Sequence, residues 1–578
     1  MRPVLDLERN KQGIPQRMVV RCMPEDRNAV KEASFGTASF SQQKGGWSIP
    51  LEPVVINRLF DFFQDLEITA QMNDYIEHLH HRQKRIISVL DVDEPLEPKD
   101  KLWDFQRASV RFLLEAKRAI LGHKMGTGKT VIACSAVKQL MPKRVLIICP
   151  NNVKWYWADN MNEYGNWKNV AILNSGPASK PKVGGHKVIA GTKKGVRTEH
   201  LERFVQRNES FCLIANYELV NAHLKQLEGL RPEVLIVDEA HRIKNRKAQR
   251  SQSCRKISYV CDYAWLLTGT PVRNNYDDLW SLLEVCDPVR FSGYWNFVNI
   301  HMRSVPNFFG GTDIIGLKDE TSFNAMLSCY MHAKTKQEVM PDLPDKIYQD
   351  IKLPMTSSQQ KIYDKMEKEF ILHVQQQLDN GEEIEKILRY DSTLTQYIKL
   401  RQICLAPGIL DSKGTSAKLD ALKELFEEIQ ATGEQAVVFT FFKRFIPYIE
   451  TILSDLKIDY GVIIGGSKPG HHRTVEQDLE GGRIQIVVGT IGAMGESLNL
   501  QTASTAIFCD RDWTPAVNEQ AEDRIHRGEI KESPTIITLY HPNTIESDIL
   551  SVCKQKKKIE KETVGRVEVL RRMLNRNN

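Results

Sequence analysis

The sequence has little of what marks secreted, membrane-spanning or metal-stapled proteins. Its 578 residues include 11 Cys, but no Cys-x-x-Cys pair occurs, which favours reduced thiols over zinc or disulfide sites. No uncharged apolar run approaches the ~18 residues of a membrane helix, and the first residues lack the apolar core of a signal peptide. We therefore expect no membrane partner and an intracellular location, cytoplasmic in a prokaryotic or viral setting and nuclear in a eukaryotic one.

The sequence also lacks a large excess of either sign of charge. The 79 Lys and Arg residues exceed the 73 Asp and Glu residues by only six, and so small an excess does not by itself predict a polyanionic partner. The apolar fraction of 41% and the charged fraction of 26% are ordinary for globular proteins, which excludes a mostly disordered chain and a collagen-like fibre. The length corresponds to about three to five domains.

What the sequence does contain is two regions, residues 96–290 and 416–545, in which short apolar runs alternate with longer amphipathic stretches. Runs of this kind are typical of buried parallel strands with crossover helices between them. The first region contains the runs Ala119–Leu121, Val145–Cys149, Leu213–Ala215, Val234–Val237 and Trp265–Thr268. The second contains Ala436–Thr440, Gly461–Ile464, Ile486–Gly489, Ala506–Cys509 and Ile536–Leu539. The pattern predicts an α/β fold class with two parallel-sheet lobes in tandem.

The remaining stretches complete the predicted domain organisation. Residues 1–95 are mixed in character and form an N-terminal accessory domain. Residues 291–415 contain long polar helical stretches such as Ser357–Leu378 and are predicted as a helical insertion or linker. Residues 546–578 form a basic C-terminal segment. A ligand could bind in a cleft between two such α/β lobes.

A candidate phosphate loop follows the first of these strands. Gly126-Thr127-Gly128-Lys129-Thr130 lies between the run Ala119–Leu121 and the helix-like stretch Val131–Leu140, the context that a phosphate loop needs. Backbone N–H groups and the helix N-terminus would face phosphate oxygens, Lys129 would neutralise the β- and γ-phosphates, and Thr130 would ligate Mg²⁺. His123 stands where the strict pattern has its first Gly, so a Gly-rich turn with a surface Lys remains the alternative.

Two acids end another predicted strand. Val234–Val237 runs directly into Asp238-Glu239-Ala240-His241, which places both carboxylates at the strand's carboxyl end, where ligands bind in open α/β sheets. One acid can hold Mg²⁺ through water and the other can accept a proton from an attacking water. Thr268-Gly269-Thr270-Pro271 ends a further strand with small hydroxyl residues, in a position to couple the phosphate site to the rest of the lobe.

With these elements in order, the chain resembles the superfamily II helicase-like ATPases, and within them the Swi/Snf-type DNA translocases, over about residues 100–545. In the first half the resemblance rests on four motifs: Leu102–Gln106, Met125–Thr130, Asp238–Asn245 and Leu267–Pro271. In the second half it rests on Lys336–Lys346, Leu400–Pro407, Gly489–Leu500, Asp512–Pro515 and Gln520–Arg527. His123-Lys124 replaces the family's usual acidic pair, Ala333-Lys334 its Arg-Arg, Arg273 a common Gln, and Gly528-Glu529-Ile530 its Ile-Gly-Gln.

The resemblance implies two RecA-like lobes that use ATP and Mg²⁺. It implies the catalytic residues Lys129, Glu239, Arg524 and Arg527. It implies nucleotide contacts from Gln106, Gly126, Thr127, Gly128, Lys129, Thr130, Asp238, Gly495 and Gln520, with Thr130 and Asp238 as the Mg²⁺ ligands. Arg524 and Arg527 are expected on a helix that starts near Pro515, where residues three apart share a face.

The implied partner is double-stranded or forked DNA, gripped through its phosphates. Candidate contacts are Lys154, Arg242, Lys244, Asn245, Lys443, Arg444 and, with less support, the basic stretch Lys180–Arg197 and the C-terminal segment, which could instead brace the lobes. Within residues 1–95, Trp47–Pro50 and the helix-like Val54–Phe63 resemble the accessory module of the family's annealing-helicase branch. That resemblance is faint, and we favour a plain β-rich or mixed docking domain, which could bind a protein partner, for this region.

Two other functions stay open on the sequence. A strand-separating helicase, on DNA or RNA, is disfavoured by the Lys336–Lys346 and Leu400–Pro407 signatures. A non-hydrolysing DNA-binding scaffold is disfavoured because Lys129, Asp238, Glu239 and both arginines are intact.

Overall fold

The computed structural model describes two compact units. The first comprises Met1–Lys124 and Gly128–Val339, and the second comprises Met125–Thr127 and Met340–Asn578. The described residues are 2–92, 94–97, 102–124, 126–174, 182–183, 186–192, 195–196, 198–206, 209–269, 276, 278–306, 312–339, 344–388, 390–467, 470–495, 498–527, 530, 532–554 and 569–574.

The N-terminal region forms a small five-stranded sheet in the order β3-β4-β2-β1-β5, with helices packed on one face. Its elements are β1 (Val4–Arg9), β2 (Pro15–Arg21), α1 (Arg27–Ala33), β3 (Ser39–Ser41), β4 (Gly46–Ile49), α2 (Pro53–Phe62), β5 (Glu67–Ile68) and α3 (Ala70–Ser88). Alternation along β1 and β2 buries Leu5, Leu7, Met18 and Val20, and Ile300 from the next domain joins the same core. A buried ion pair between Glu52 and Arg290, 2.6 Å, fastens the two together.

The first lobe is built on a ten-stranded, mainly parallel sheet in the order β11-β10-β8-β12-β7-β13-β14-β6-β17, with β9 beside β10. Its strands are β6 (Arg118–Leu121), β7 (Arg144–Cys149), β8 (Val170–Asn174), β9 (Lys182–Val183), β10 (His186–Thr192), β11 (Gly195–Val196), β12 (Phe211–Asn216), β13 (Val234–Val237), β14 (Tyr263–Leu267) and β17 (Met331–His332), while β15 (Met302–Pro306) and β16 (Thr312–Leu317) form a separate hairpin. The central strands are buried along their whole length, as their continuous apolar runs predicted.

Helices of the first lobe connect these strands and cover both faces of the sheet, with separate cores on either side. They are α4 (Asp104–Ala116), α5 (Lys129–Leu140), α6 (Lys154–Glu163), α7 (Thr198–Gln206), α8 (Tyr217–Ala222), α9 (Leu224–Gly229), α10 (Gln249–Ser258), α11 (Asp278–Cys286), α12 (Tyr294–His301), α13 (Glu320–Ser328) and α14 (Lys336–Val339).

The second unit contains a six-stranded parallel sheet in the order β18-β23-β22-β19-β21-β20. Its strands are β18 (Ile347–Lys352), β19 (Ala436–Thr440), β20 (Tyr460–Ile463), β21 (Ile486–Thr490), β22 (Thr505–Phe508) and β23 (Thr535–Tyr540). Its helices are α15 (Ser357–Asp379), α16 (Ile384–Ile387), α17 (Asp391–Leu405), α18 (Ala417–Thr432), α19 (Ile446–Asp455), α20 (His471–Glu480), α21 (Ile491–Met494), α22 (Pro515–Glu522) and α23 (Ile545–Lys554). Residues 569–574 are also helical, and Val569, Leu570 and Met573 are buried in the core with α15 and α17.

The predicted fold class, two parallel-sheet α/β lobes with an accessory domain, is confirmed by these sheets. The range 291–415, predicted as a helical insertion, does contain α15 and α17, but it also supplies β17 to the first sheet and β18 to the second. Short or exposed strands of this kind lack the continuous apolar run on which the prediction depended. The boundaries of the five domains stay a prediction. Among the described helices, none combines the length and apolarity needed to span a membrane.

Candidate nucleotide site and its supporting contacts

The candidate phosphate loop connects β6 to α5 through two glycines in left-handed backbone conformation. Gly126 has φ 78° and Gly128, which precedes the first residue of α5, has φ 79°; side chains strain the backbone in this region. A Cβ on Gly128 would also lie only 2.6 Å from Nε2 of Gln106. The backbone angle therefore favours glycine at position 128, and a larger residue there would also displace the end of the Gln106 side chain.

Lys129, at the first position of α5, extends back over the loop. Its Nζ donates to the carbonyl oxygens of His123 at 2.9 Å and of Lys124 at 3.1 Å. Thr130 follows on the same helix and is partly exposed. The ammonium group and the N-terminal end of α5 together make this end of the helix positive, a setting that favours phosphate groups.

Gln106 lies against the loop because α4 presents it there. Trp103 precedes α4, and its backbone N–H donates to Oε1 of Gln106 at 3.1 Å. The side chain is 7% exposed. The structure therefore brings Gln106 next to Gly128, as expected for residues that read one ligand.

Asp238 and Glu239 stand at the carboxyl end of β13, two strands away from β6 in the sheet. Trp157 donates through Nε1 to Oδ2 of Asp238 at 2.8 Å, and the backbone N–H of Glu239 donates to Oδ1 at 2.9 Å. Burial raises the pKa of Asp238, and the neighbouring charge of Glu239 raises it further, whereas the Trp157 hydrogen bond and the positive charge of Lys129 lower it. Lys129 and Asp238 thus act on each other electrostatically across the edge of the sheet.

Glu239 is placed differently from Asp238. Its backbone is left-handed, with φ 50°, a strained conformation for a residue with a side chain that is frequent at functional sites. Oε2 of Glu239 lies 3.2 Å from Nδ1 of His241. Tyr217 donates through its hydroxyl to the backbone carbonyls of Asp238 and Glu239. These hydrogen bonds stabilise the backbone turn that follows β13. Sequence reasoning missed Trp157 and Tyr217, because no local pattern reports partners that lie far away in the chain.

The edge between the loop and the acids is completed by β14. Thr268 is buried, and its backbone N–H donates to the carbonyl oxygen of Leu121 at 3.0 Å. Among the described residues, no group of three or more His, Cys, Asp and Glu side chains could hold a metal ion by itself. The set Thr130 and Asp238 fits Mg²⁺ instead, which proteins commonly bind through one or two oxygen ligands together with substrate phosphates and water.

In the second unit the two predicted arginines converge, but not as expected. Helix α22 begins at Pro515 as predicted, yet it ends at Glu522, so the expectation that Arg524 and Arg527 share a helix face is wrong. The chain turns after Glu522, and the arginines meet at one carbonyl instead. Leu498 O accepts from Arg524 Nη1 at 3.5 Å and from Arg527 Nη1 at 3.2 Å.

The two arginines differ in burial. Arg524 is 5% exposed and also donates through Nη2 to Gly495 O at 2.6 Å, so it supports the loop after α21. Arg527 is partly exposed. Gln520, on α22, approaches Gly495 closely: a Cβ on Gly495 would lie 3.9 Å from Cδ of Gln520. The structure therefore brings Gly495, Gln520, Arg524 and Arg527 together within the second unit.

A buried charge network fixes the turn that carries Arg524. Nζ of Lys346, just before β18, lies 3.0 Å from Oε2 of Glu522 and 3.0 Å from Oδ1 of Asp523. Arg511 pairs with the other oxygen of Glu522 at 2.5 Å. Burial lowers the pKa of Lys346, but the carboxylates of Asp523 and Glu522 outweigh it and raise that pKa. The last residue of the Lys336–Lys346 signature thus anchors the end of α22.

Replacing Lys346 by Met should destabilise the protein strongly, because Glu522 and Asp523 would stay buried without their shared cation. Breaking a buried ion pair from one side costs about 3–5 kcal/mol. Urea unfolding of the full chain measures this loss. Lys352→Met, at an exposed position on β18, is the matched control and should stay within about 0.5 kcal/mol of wild type. Equal stability of the two variants would contradict the anchoring role.

The Leu400–Pro407 signature is also internal to the second unit. Arg401 is buried, and its Nη2 donates to Asp510 at 3.1 Å and to the carbonyl oxygen of Arg511 at 2.7 Å. Its guanidinium lies over the rings of Phe441, Phe442 and Trp513. This motif therefore supports the strand ends of the second sheet.

The candidate DNA contacts divide by exposure. Lys443 and Arg444 are exposed, and Lys244 is exposed but paired with Asp278 at 3.2 Å. Lys154 is only 2% exposed and donates to Leu173 O at 2.9 Å, and burial lowers its pKa to about 8. Lys154 thus does not present its ammonium group to a surface ligand, because α6 turns that face toward the sheet.

Some predicted features lie outside the described residues. These are Met125, Thr270, Pro271, Arg273, the signature positions 340–343, Glu496, Ser497, Gly528 and Glu529, positions 180–181, 184–185, 193–194 and 197 of the basic stretch, and positions 555–568 and 575–578 of the basic C-terminal segment.

Comparisons with known proteins show which family the sequence matches. The sequence model described as SNF2-related domain matches residues 105–409, more than half of the chain, and the one described as helicase conserved C-terminal domain matches residues 417–529. The chain is 27% identical over 490 residues to the SWI/SNF chromatin-remodeling complex subunit snf22 of Schizosaccharomyces pombe, covering 79% of this chain and 27% of that protein. It is 25% identical over 529 residues to an uncharacterized ATP-dependent helicase of Mycoplasma pneumoniae, covering 88% and 45%.

These curated relatives are longer proteins, since the chain spans only about a quarter to a half of their length. Among solved structures, the SWI2/SNF2 ATPase core of Sulfolobus solfataricus in complex with dsDNA is 20% identical and covers 84% of this chain and 98% of that chain, with a TM-score of 0.37. The predicted resemblance is confirmed by the two sequence models: the chain belongs to the SNF2-related family of helicase-like ATPases.

Proposed function

We propose that this chain hydrolyses ATP and couples hydrolysis to movement along double-stranded DNA. The observation that carries the proposal is the meeting of three elements at one edge of the first sheet: the glycine loop with Lys129, the acids Asp238 and Glu239, and Thr268. Membership of the SNF2-related family supports it. Fork remodelling, strand annealing, displacement of bound proteins and a part in DNA repair are the tasks such a motor could serve.

The residues of the first lobe take distinct roles in this proposal. Backbone N–H groups of Gly126, Thr127 and Gly128 donate to phosphate oxygens at the N-terminal end of α5. Lys129 neutralises the charge of the phosphates. Gln106, held against Gly128, reads the adenine base. Asp238 and Thr130 would hold Mg²⁺, which supplies charge neutralisation for the phosphates when bound.

Glu239 is the group to take the proton from the attacking water. The family resemblance implies this role for Glu239, and its left-handed backbone, with φ 50°, is a strained conformation that is frequent at functional sites. In the second lobe, Arg524 and Arg527 supply positive charge to the γ-phosphate in the transition state, and Gly495 and Gln520 contribute to the nucleotide site.

For DNA, the exposed cations Lys443 and Arg444 are the proposed phosphate contacts of the second lobe, and Arg242, Lys244 and Asn245 those of the first. Such contacts position the protein without reading sequence. A protein that works on DNA operates inside the cell, in the cytoplasm of a prokaryotic or virus-infected host or in the nucleus of a eukaryotic one.

The ATP hydrolysis rate should rise severalfold when duplex DNA is added, and the stimulation should weaken as salt increases, because phosphate contacts release counterions. Steady-state ATPase assays with duplex, forked and single-stranded DNA and with RNA measure this. Hydrolysis that is indifferent to every nucleic acid would remove the motor function, and a rate driven only by RNA would remove DNA as the substrate. Separation of strands in a displacement assay would favour the helicase alternative, and absence of any turnover the scaffold.

A further inference from the structure

His123, at the start of the phosphate loop, has no role in the proposed chemistry but is fully buried. It stands where the family usually has an acid. Its ring packs edge-on against His332, with centroids 4.8 Å apart, and against Phe105, with centroids 5.8 Å apart. A buried polar ring in this position needs hydrogen-bond partners, and the structure supplies one to each nitrogen.

The partners of His123 define its tautomer. The backbone N–H of Lys334 donates to Nδ1 at 3.0 Å, so Nδ1 carries no hydrogen. Nε2 lies 2.7 Å from Oγ of Ser109, whose hydroxyl is 2.6 Å from the carbonyl oxygen of Phe105. The consistent assignment is a neutral ring in which Nε2–H donates to Ser109 and Ser109 donates to Phe105.

Through these bonds His123 joins three segments. Ser109 and Phe105 belong to α4, the helix that carries Gln106. The carbonyl oxygen of His123 receives Nζ of Lys129 at 2.9 Å. Lys334 belongs to the segment that leaves β17 and reaches the end of the first unit at Val339.

The backbone hydrogen bonds between β17 and β6 continue beyond both strands, between the segment after β17 and the start of the phosphate loop. Gly122 N–H donates to His332 O at 2.8 Å, and Lys124 N–H donates to Lys334 O at 3.1 Å. The imidazole adds one side-chain bond between these two backbone bonds. Three hydrogen bonds therefore join the loop around His123 to residues 332–334, a few positions before the first unit ends at Val339.

We propose that neutral His123 is a positioning residue that keeps the phosphate loop in register with the helix of Gln106 and with the segment 332–334. The inference rests on the proposed ATPase function only for its effect on turnover. The contact that matters most is the hydrogen bond from the Lys334 N–H to Nδ1 of His123. If the ring gained a proton, Nδ1 would become a donor and would face the Lys334 N–H donor, so this hydrogen bond would be lost.

The charges around His123 favour the neutral ring. Burial lowers its pKa well below 6.5, and His332, Lys129 and Lys334 lower it further. Burial also lowers the pKa of His332, to about 4, so both rings are neutral at pH 7. Because the folded-state pKa of His123 is depressed, its stabilising contribution is complete above the ordinary value of 6.5 and is lost as the pH falls below it.

Two amide variants separate the two ring nitrogens. In His123→Asn, Oδ1 takes the place of Nδ1 and still accepts from Lys334; in His123→Gln, the amide takes the place of Nε2 and the Lys334 amide loses its acceptor. A buried N–H without a partner costs enough to change an equilibrium by about tenfold or more. We therefore expect His123→Gln to speed hydrogen exchange at the Lys334 amide, and to lower kcat/KM for ATP, by about tenfold, with His123→Asn within about threefold of wild type.

Rescue by the conservative variant supplies a readout that a merely structural role would not move. His123→Asn should retain both the slow exchange at the Lys334 amide and the kcat/KM for ATP, whereas His123→Gln should retain neither. His78→Asn, at an exposed position on α3, is the control and should match wild type throughout. Equal exchange at Lys334 in both amide variants, or equal kcat/KM in both, would overturn the proposal. Absence of ATP turnover in wild type would instead refute the proposed function, and the exchange comparison would still decide the role of His123.

Discussion

Glu239→Gln should bind ATP but hydrolyse it about 10²- to 10⁴-fold more slowly than wild type, the usual contribution of a general base. The change keeps the volume of the side chain and one acceptor oxygen, replaces the other oxygen by an NH₂ donor, and removes the ability to take a proton. Glu239 is the candidate base of the two acids because the family resemblance implies that role, while Asp238 is the candidate Mg²⁺ ligand. Single-turnover hydrolysis and equilibrium binding of a fluorescent ATP analogue separate the chemical step from affinity.

The control for this variant is Glu202→Gln, which makes the same chemical change at an exposed position on α7 and should leave both quantities unchanged. Turnover by Glu239→Gln near the wild-type value would overturn the base assignment. Loss of ATP binding together with hydrolysis would show instead that Glu239 supports the turn after β13.

Arg527→Ala should lower kcat for ATP by about 10³-fold or more, the range typical of an arginine that stabilises the transition state of phosphoryl transfer, while the affinity for ATP changes little. The structure favours Arg527 over Arg524 for this test. Arg527 is partly exposed, whereas Arg524 is buried and holds Gly495 O and Leu498 O, so its removal should also destabilise the second unit. Steady-state kinetics with a thermal unfolding curve for each variant distinguish the two effects.

Arg483→Ala is the matched control, because Arg483 is an exposed arginine of the same unit paired only at the surface with Asp478. Its kcat and its melting temperature should match wild type. An unchanged kcat in Arg527→Ala would place the catalytic arginine elsewhere. A fall in stability as large as that of Arg524→Ala would assign Arg527 a structural role.

Local sequence was sufficient for most of the fold. All ten predicted strands are present, and most begin or end within a residue or two of the predicted positions; β19 coincides with Ala436–Thr440. Continuous apolar runs identify such strands because both faces of a parallel sheet are covered. The helix predicted from Ser357 to Leu378 is α15, which extends only one residue further.

Local sequence failed where a contact far along the chain decides the outcome. Strands β17 and β18 are recognisable only by their pairing with β6 and β23. Helix α22 ends at Glu522, whose carboxylate binds Lys346 and Arg511, and the local sequence reports neither the end nor those partners. Lys154 was a reasonable phosphate contact by residue type, but the sheet buries it.

The sequence by itself determined the family, the presence of two α/β lobes in tandem and the chemical groups of the candidate site. Glycine loops, strand-end acids and apolar runs each consist of consecutive residues, so a local pattern identifies them. Only the tertiary structure decided which groups hold Asp238, where the arginines turn and why His123 can be neutral. Those properties depend on burial and on hydrogen bonds between residues that lie tens to hundreds of positions apart.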